Sequence, residues 1–232
     1  MEKHNVKTYS QSTYIPSPSL NVKSINVSIF YLFVKRLIDI VASILLLILT
    51  SPIFFIISMI YLFGDSKGPL FFKQQRYGKN GSLIDVYKFR SMIMNADEKL
   101  RNNEELYRKY IENNYKLEPY EDPRITKLGR ILRNTSLDEF PQLLNVLKGE
   151  MSLVGPRPIV KEELVEYKNR KEEFLSVKPG ITGYWQVKGR SNIGYPERVE
   201  FELHYIKHQS LLLDLKILLQ TIVVIFTKKG AY

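Results

Sequence analysis

The chain has 232 residues, with 34 Lys or Arg against 24 Asp or Glu, for a net charge of +10 at pH 7. It contains no cysteine, which excludes disulfides, thiolate metal sites and cysteine nucleophiles and agrees with a reducing compartment. A basic surface suits anionic lipid headgroups, nucleic acid or phosphorylated small molecules, and charge alone does not choose among them.

In chain order, residues 1–30 are polar, rich in Ser, Asn and Lys and punctuated by Pro16 and Pro18, and read as a loose cytoplasmic tail. Residues 31–66 hold an almost wholly apolar run, Leu37 to Phe63, preceded by Lys35-Arg36 and followed by Lys67 and Lys73. This run predicts a membrane segment and moves lipid and phosphate ahead of nucleic acid as partners. Asp39 near its start, Ser51-Pro52 near its middle and cations at both ends fit a re-entrant hairpin that leaves by the face it entered. A spanning helix kinked at proline remains the alternative, since Ser side chains can satisfy the freed carbonyl.

Residues 67–232 predict one globular domain on the cytoplasmic side. Leu70 to Lys73 and Leu83 to Arg90 read as a hairpin around Gly78-Lys79-Asn80-Gly81. Helical spacing predicts an amphipathic helix from Ala96 to Tyr115 and further helices at 127–133, 137–148, 160–174 and 197–207. The apolar run from Leu211 to Phe226, interrupted by Asp214, Lys216 and Gln220, reads as an interfacial helix, with a terminal core helix as the alternative. The expected fold is mainly α with a small β-hairpin, monotopic in the membrane through an N-terminal re-entrant helix-break-helix, with amphipathic interfacial helices.

The chemistry concentrates between Asp122 and Arg190. Asp138-Glu139 lies between Arg133 and Arg157, the latter in Gly155-Pro156-Arg157-Pro158. Ser136 and Glu139 have capping-box spacing, which explains two residues without any function. Alternatively, the arginines fork onto phosphate, while the carboxylates hold Mg²⁺ together with substrate phosphates or one of them attacks phosphorus. Pro179-Gly180-Ile181-Thr182-Gly183-Tyr184-Trp185-Gln186, running on to Arg190, reads as a loop in which Trp185 is either a stacking face or a core anchor.

Lys35-Arg36 with Asp39, Ser51-Pro52, Lys88-Phe89-Arg90-Ser91-Met92, Thr135 to Gln142, Gly155 to Pro158 and Pro179 to Gln186 together resemble the bacterial sugar transferases called monotopic phosphoglycosyl transferases. Each motif is weak alone, but six in the right order are specific, and the likeness runs from about Phe33 to Tyr232, as in the family's short form. The resemblance implies transfer of a sugar 1-phosphate from a UDP-sugar to polyprenyl (undecaprenyl) phosphate with release of UMP, at the cytoplasmic face of the cell membrane. It makes Asp138 the nucleophile and Glu139 its partner at a Mg²⁺ site. Arg133, Arg157 and Asp214 then line the substrate site, and Lys88, Arg90, Gln186 and Arg190 shape the nucleotide-sugar pocket. It also favours the re-entrant hairpin, bent at Ser51-Pro52. The C-terminal third looks most like members that transfer galactose or glucose 1-phosphate for exopolysaccharide or capsule. Membrane lipids are expected partners and nucleic acid is not; a second copy of the chain and other polysaccharide-assembly proteins stay open. A non-catalytic, membrane-tethered binding protein is the competing class.

Overall fold

The computed structural model describes residues 27–62, 68–113, 115, 117, 120–189 and 193–227. Most of the expected tail and Arg190 therefore lie outside the described residues. A single helix, α1 (Ile29–Ile60), occupies the apolar run. At 1.5 Å per residue it is about 48 Å long, more than the ~30 Å of a hydrocarbon core. It buries a narrow stripe at roughly helical spacing, Tyr31, Asp39, Ser43, Thr50 and Ile57, and turns most of its other apolar side chains outward. Among the described residues it is the one helix long and apolar enough to cross a membrane.

The helix runs through Pro52 without the interruption expected there. Proline cannot donate to the carbonyl four residues back, at Ile48. The Ser51 hydroxyl donates to that oxygen at 2.8 Å, so the group stays satisfied in an apolar setting.

Both ends of α1 rest on the globular part of the chain. Near its start, Arg36 donates to the Val146 and Leu147 carbonyls at 2.5 and 2.8 Å, closing the last turn of helix α5 (Leu143–Lys148). Asp39 accepts from Leu153 N at 2.9 Å and Ser152 Oγ at 3.1 Å, holding strand β3 (Ser152–Val154). Near its end, Phe54, Ile57 and Tyr61 pack with Phe89 and Leu132, and the Tyr61 hydroxyl donates to the Arg90 carbonyl.

The expected hairpin forms, with a longer first strand than predicted: β1 (Phe71–Tyr77) pairs antiparallel with β2 (Leu83–Phe89), Arg76 opposite Ile84 and Phe72 opposite Lys88. Side chains alternate along strands, so Arg76, Ile84, Val86 and Lys88 share one face while Phe89 meets α1 from the other. The helix expected over 96–115 is two, α2 (Ala96–Arg101) and α3 (Glu104–Glu112), because Asn103 caps a new start by accepting from Leu106 N. Helix α4 (Lys127–Asn134) follows, capped by Thr126. The stretch 160–174 forms a 3-10 segment, Glu163–Arg170, broken at Lys168 (φ 47°), and then α6 (Lys171–Leu175).

The stretch read as a loop is structured: β4 (Gly180–Thr182) pairs parallel with β3, and α7 (Tyr184–Lys188) follows. That pairing needs glycine, since a Cβ on Gly180 would stand 2.1 Å from Gly155 N. Helices α8 (Glu197–His208) and α9 (Leu211–Thr227) complete the chain. The core lies between β2, β3, α5 and α8, around Val146, Met151, Ile159, Leu203, Ile206 and Ile217 of α9. The face of α9 bearing Leu212, Leu215, Leu219 and Val223 is exposed, so the helix serves both the core and an apolar surface.

Candidate active site

Asp138 and Glu139 lie on a 3-10 segment, Leu137–Gln142, and not on the regular helix expected over 137–148. The capping box does not form. Ser136 has φ 57° in the left-handed region and its side chain caps nothing, so that structural explanation of the acid pair falls away. With three residues per turn, Glu139 and Gln142 share one edge of the segment and Asp138 and Pro141 another.

That edge opens into a narrow cleft, lined among others by Arg76, Lys88, Glu139, Gln142, Arg157 and Gln186. Four expected site residues, Lys88, Glu139, Arg157 and Gln186, thus come together. The Lys88 ammonium stands 2.7 Å from Glu139 Oε1. Asp138 lies behind Glu139, 8% exposed. Burial pushes its carboxyl up to about 6; Lys88 and Arg133 oppose that rise, and the neighbouring Glu139 adds to it. Arg133 donates from Nε to Ser91 Oγ at 2.8 Å, and no described residue bonds the rest of its fork.

The Arg157 backbone is held tightly while its guanidinium is not. Lys35 and Tyr205 both donate to Val154 O, Gly155 N donates to Thr182 O, Gly180 N to Pro156 O, Arg157 N to Glu202 Oε1 and Arg76 to Pro158 O. Behind these lies a buried charged network. Arg198 pairs with Glu163 at 3.1 Å and Glu202 at 3.3 Å, Arg76 pairs with Glu163 at 3.1 Å, and Tyr195 and Tyr167 donate to the two glutamates. Burial alone would raise the Glu163 carboxyl, but Arg198 and then Arg76 outweigh it and hold it below its ordinary value. Trp185 is a core anchor here, with Arg198 4.3 Å from its ring centre and Arg157 at 5.9 Å.

The remaining expected residues stand elsewhere. Arg90 donates to the Pro69 and Met92 carbonyls and lies over the Tyr61 ring, joining the hairpin to the end of α1. Asp214 accepts from Tyr31 (2.9 Å), Lys35 (2.7 Å) and Tyr205 (2.7 Å) at the start of α1. It neither lines the cleft nor bonds to the acid pair.

A family model described as bacterial sugar transferase matches residues 30–228. The chain belongs to the bacterial sugar transferases. It is 48% identical over 206 residues to the undecaprenyl-phosphate galactose phosphotransferase of Salmonella typhimurium, an alignment covering 86% of this chain and 42% of that protein. It is 42% identical over 202 residues to the exopolysaccharide production protein ExoY of Sinorhizobium fredii, covering 85% and 88%. With the UDP-glucose:undecaprenyl-phosphate glucose-1-phosphate transferase of Escherichia coli it shares 41% over 206 residues, covering 85% and 41%. The chain thus spans less than half the length of the Salmonella and Escherichia relatives and most of the Sinorhizobium one.

For a bacterial sugar transferase, sequence reasoning missed Arg76, Gln142 and the Glu163–Arg198–Glu202 network. Arg76 had a usable signal, since the hairpin register places it on the face of Lys88. The network had none, because its members come from segments brought together only by folding.

Proposed function

We propose that the chain transfers a hexose 1-phosphate, galactose or glucose 1-phosphate, from a UDP-sugar to undecaprenyl phosphate and releases UMP. The observation that carries this reading is the acid pair beside a cleft holding Lys88, Arg76 and Arg157, an arrangement suited to a diphosphate. The names of the Salmonella and Escherichia relatives supply the acceptor and the two sugars. In the first step an Asp138 oxygen attacks the sugar-linked phosphorus; the bond to the bridging oxygen breaks, and that oxygen leaves with UMP. In the second, a lipid phosphate oxygen attacks the same phosphorus and frees the carboxylate. An ionised Asp needs no base for this.

Lys88 pairs with Glu139 and its charge also favours the ionised form of Asp138, so it counters charge on both acids and on the phosphates. Arg133, whose fork no described residue fills and whose charge favours the ionised form of Asp138, is assigned to hold an incoming lipid phosphate.

Mg²⁺ fits the donor set only as a site completed by substrate. Among the described residues no group of three His, Asp or Glu forms a protein cage, but Mg²⁺ commonly takes one or two carboxylates plus phosphates, which Asp138 and Glu139 offer. When bound it would offset diphosphate charge.

The membrane part of the proposal is a re-entrant α1 whose two ends stay on the cytoplasmic face. Its support is that Arg36 and Asp39 at one end and Tyr61 at the other bind the same domain that carries the acids.

The test is UMP release by purified protein with undecaprenyl phosphate and a panel of UDP-sugars. Exchange of labelled UMP into UDP-sugar without lipid is expected, because the first step needs no acceptor. UMP release that survives loss of both acids, or no release from any UDP-sugar, would overturn the proposal.

A further inference from the structure

Two neutral amides stand in the cleft beside its charged side chains. Gln142 is 2% exposed, and its side chain makes no hydrogen bond to any described residue. The Oε1 of Gln186 is sealed from solvent and likewise has no partner among the described residues. A buried polar atom ordinarily has a partner, so the sealed Gln186 oxygen, with the Gln142 amide on the same cleft, marks contacts that a ligand completes.

Position says which part of the ligand. Gln142 lies three residues after Glu139 on the same edge of the 3-10 segment, about 6 Å along its axis. A hexose attached to the phosphorus attacked at the acid pair has its hydroxyls within that reach, whereas the uracil lies beyond a second phosphate and a ribose. An amide presents both a donor and an acceptor, which suits a hydroxyl that is also both. Lys88, Arg76 and Arg157, as cations, suit the phosphates instead.

We infer that Gln142, together with Gln186, hydrogen-bonds a hydroxyl of the transferred hexose, making Gln142 a sugar-recognition residue. This rests on the reaction proposed above. A site built around a hydroxyl discriminates strongly against a sugar that lacks it, because its own polar groups are then left unpaired.

The experiment measures kcat/KM for UDP-galactose, UDP-glucose and a set of monodeoxy UDP-hexoses, and the Kd of UMP, for wild type and Gln142→Met, which keeps volume but removes both hydrogen-bonding atoms. Expected is a loss of about tenfold to a hundredfold in kcat/KM for the preferred sugar, with the UMP Kd within about twofold of wild type. One monodeoxy sugar should be handled alike by both proteins, because the same hydrogen bond is already missing. A parallel loss of UMP affinity, unchanged kinetics, or additive losses for every deoxy sugar would overturn the contact. Should Gln142→Met fail to fold, Gln142→Asn, which keeps the amide one methylene short, carries the same comparison. No UMP release by wild type would instead overturn the reaction itself.

Discussion

Ser51 Oγ donates at 2.8 Å to Ile48 O, the carbonyl that Pro52 leaves without its helical partner. The pair therefore weakens the backbone ladder of α1 at one point without leaving a polar group bare, which is what a bend inside a bilayer requires. Single cysteines at Ser28 and at Lys79, on the hairpin turn, should both be labelled from the cytoplasmic side only. Labelling from opposite faces would sink the re-entrant topology. Pro52→Ala restores the missing donor and should shift part of the population toward a spanning form, seen as labelling of Ser28→Cys from outside.

Asp138 carries a pH dependence with a definite sign. Its carboxyl is raised by burial from an ordinary 3.8 to about 6, so the folded state disfavours the ionised form that attack requires. Turnover should fall as pH drops through about 6. Stability runs the other way: the penalty is absent below about 4, grows as pH rises to about 6 and persists above it, reaching at most roughly 3 kcal/mol. Asp138→Asn should abolish turnover yet match or exceed wild type in Tm at pH 7.5. A lower Tm together with residual turnover would count against the nucleophile assignment.

Arg157→Lys keeps the charge but loses the planar two-point fork. Since six hydrogen bonds to the loop's backbone fix it independently of the guanidinium, fold and membrane association should be unchanged while kcat/KM falls by about tenfold or more. Near-normal kcat/KM would reduce Arg157 to a turn residue.

Asp214→Asn removes the anion facing the partly buried Lys35 at 2.7 Å. Leaving that cation unpaired should destabilise the protein by about 3 kcal/mol or more and loosen the start of α1. The KM for UDP-sugar should change little. Unchanged Tm with a large rise in KM would return Asp214 to the substrate site.

Gly129→Ala tests how α4 seats against the hairpin's exit. An added Cβ would stand 1.8 Å from Ser91 O, a backbone atom that cannot yield like a side chain. A fall in Tm equivalent to about 2 kcal/mol or more is expected, with displacement of Ser91 and of the Arg133 it holds. A wild-type Tm would show that this crossing is looser than described.

The sequence by itself determined the apolar segment, the hairpin and the placing of Lys88, Glu139, Arg157 and Gln186 in one site, because hydrophobic runs and turn residues are local signals and ordered motifs carry a family's site with them. It did not determine the parallel pairing of β3 with β4, the 3-10 form of 137–142, or the division of the acid pair between a cleft-facing Glu139 and a buried Asp138. Those depend on a left-handed Ser136, on Gly180 closing against Gly155, and on neighbours far away in the chain. For the same reason the contacts of Asp214, which the resemblance assigns to the substrate site, were not legible: a carboxylate in an apolar helix announces only that it has a partner. Folding supplied Tyr31, Lys35 and Tyr205, residues up to 183 positions distant.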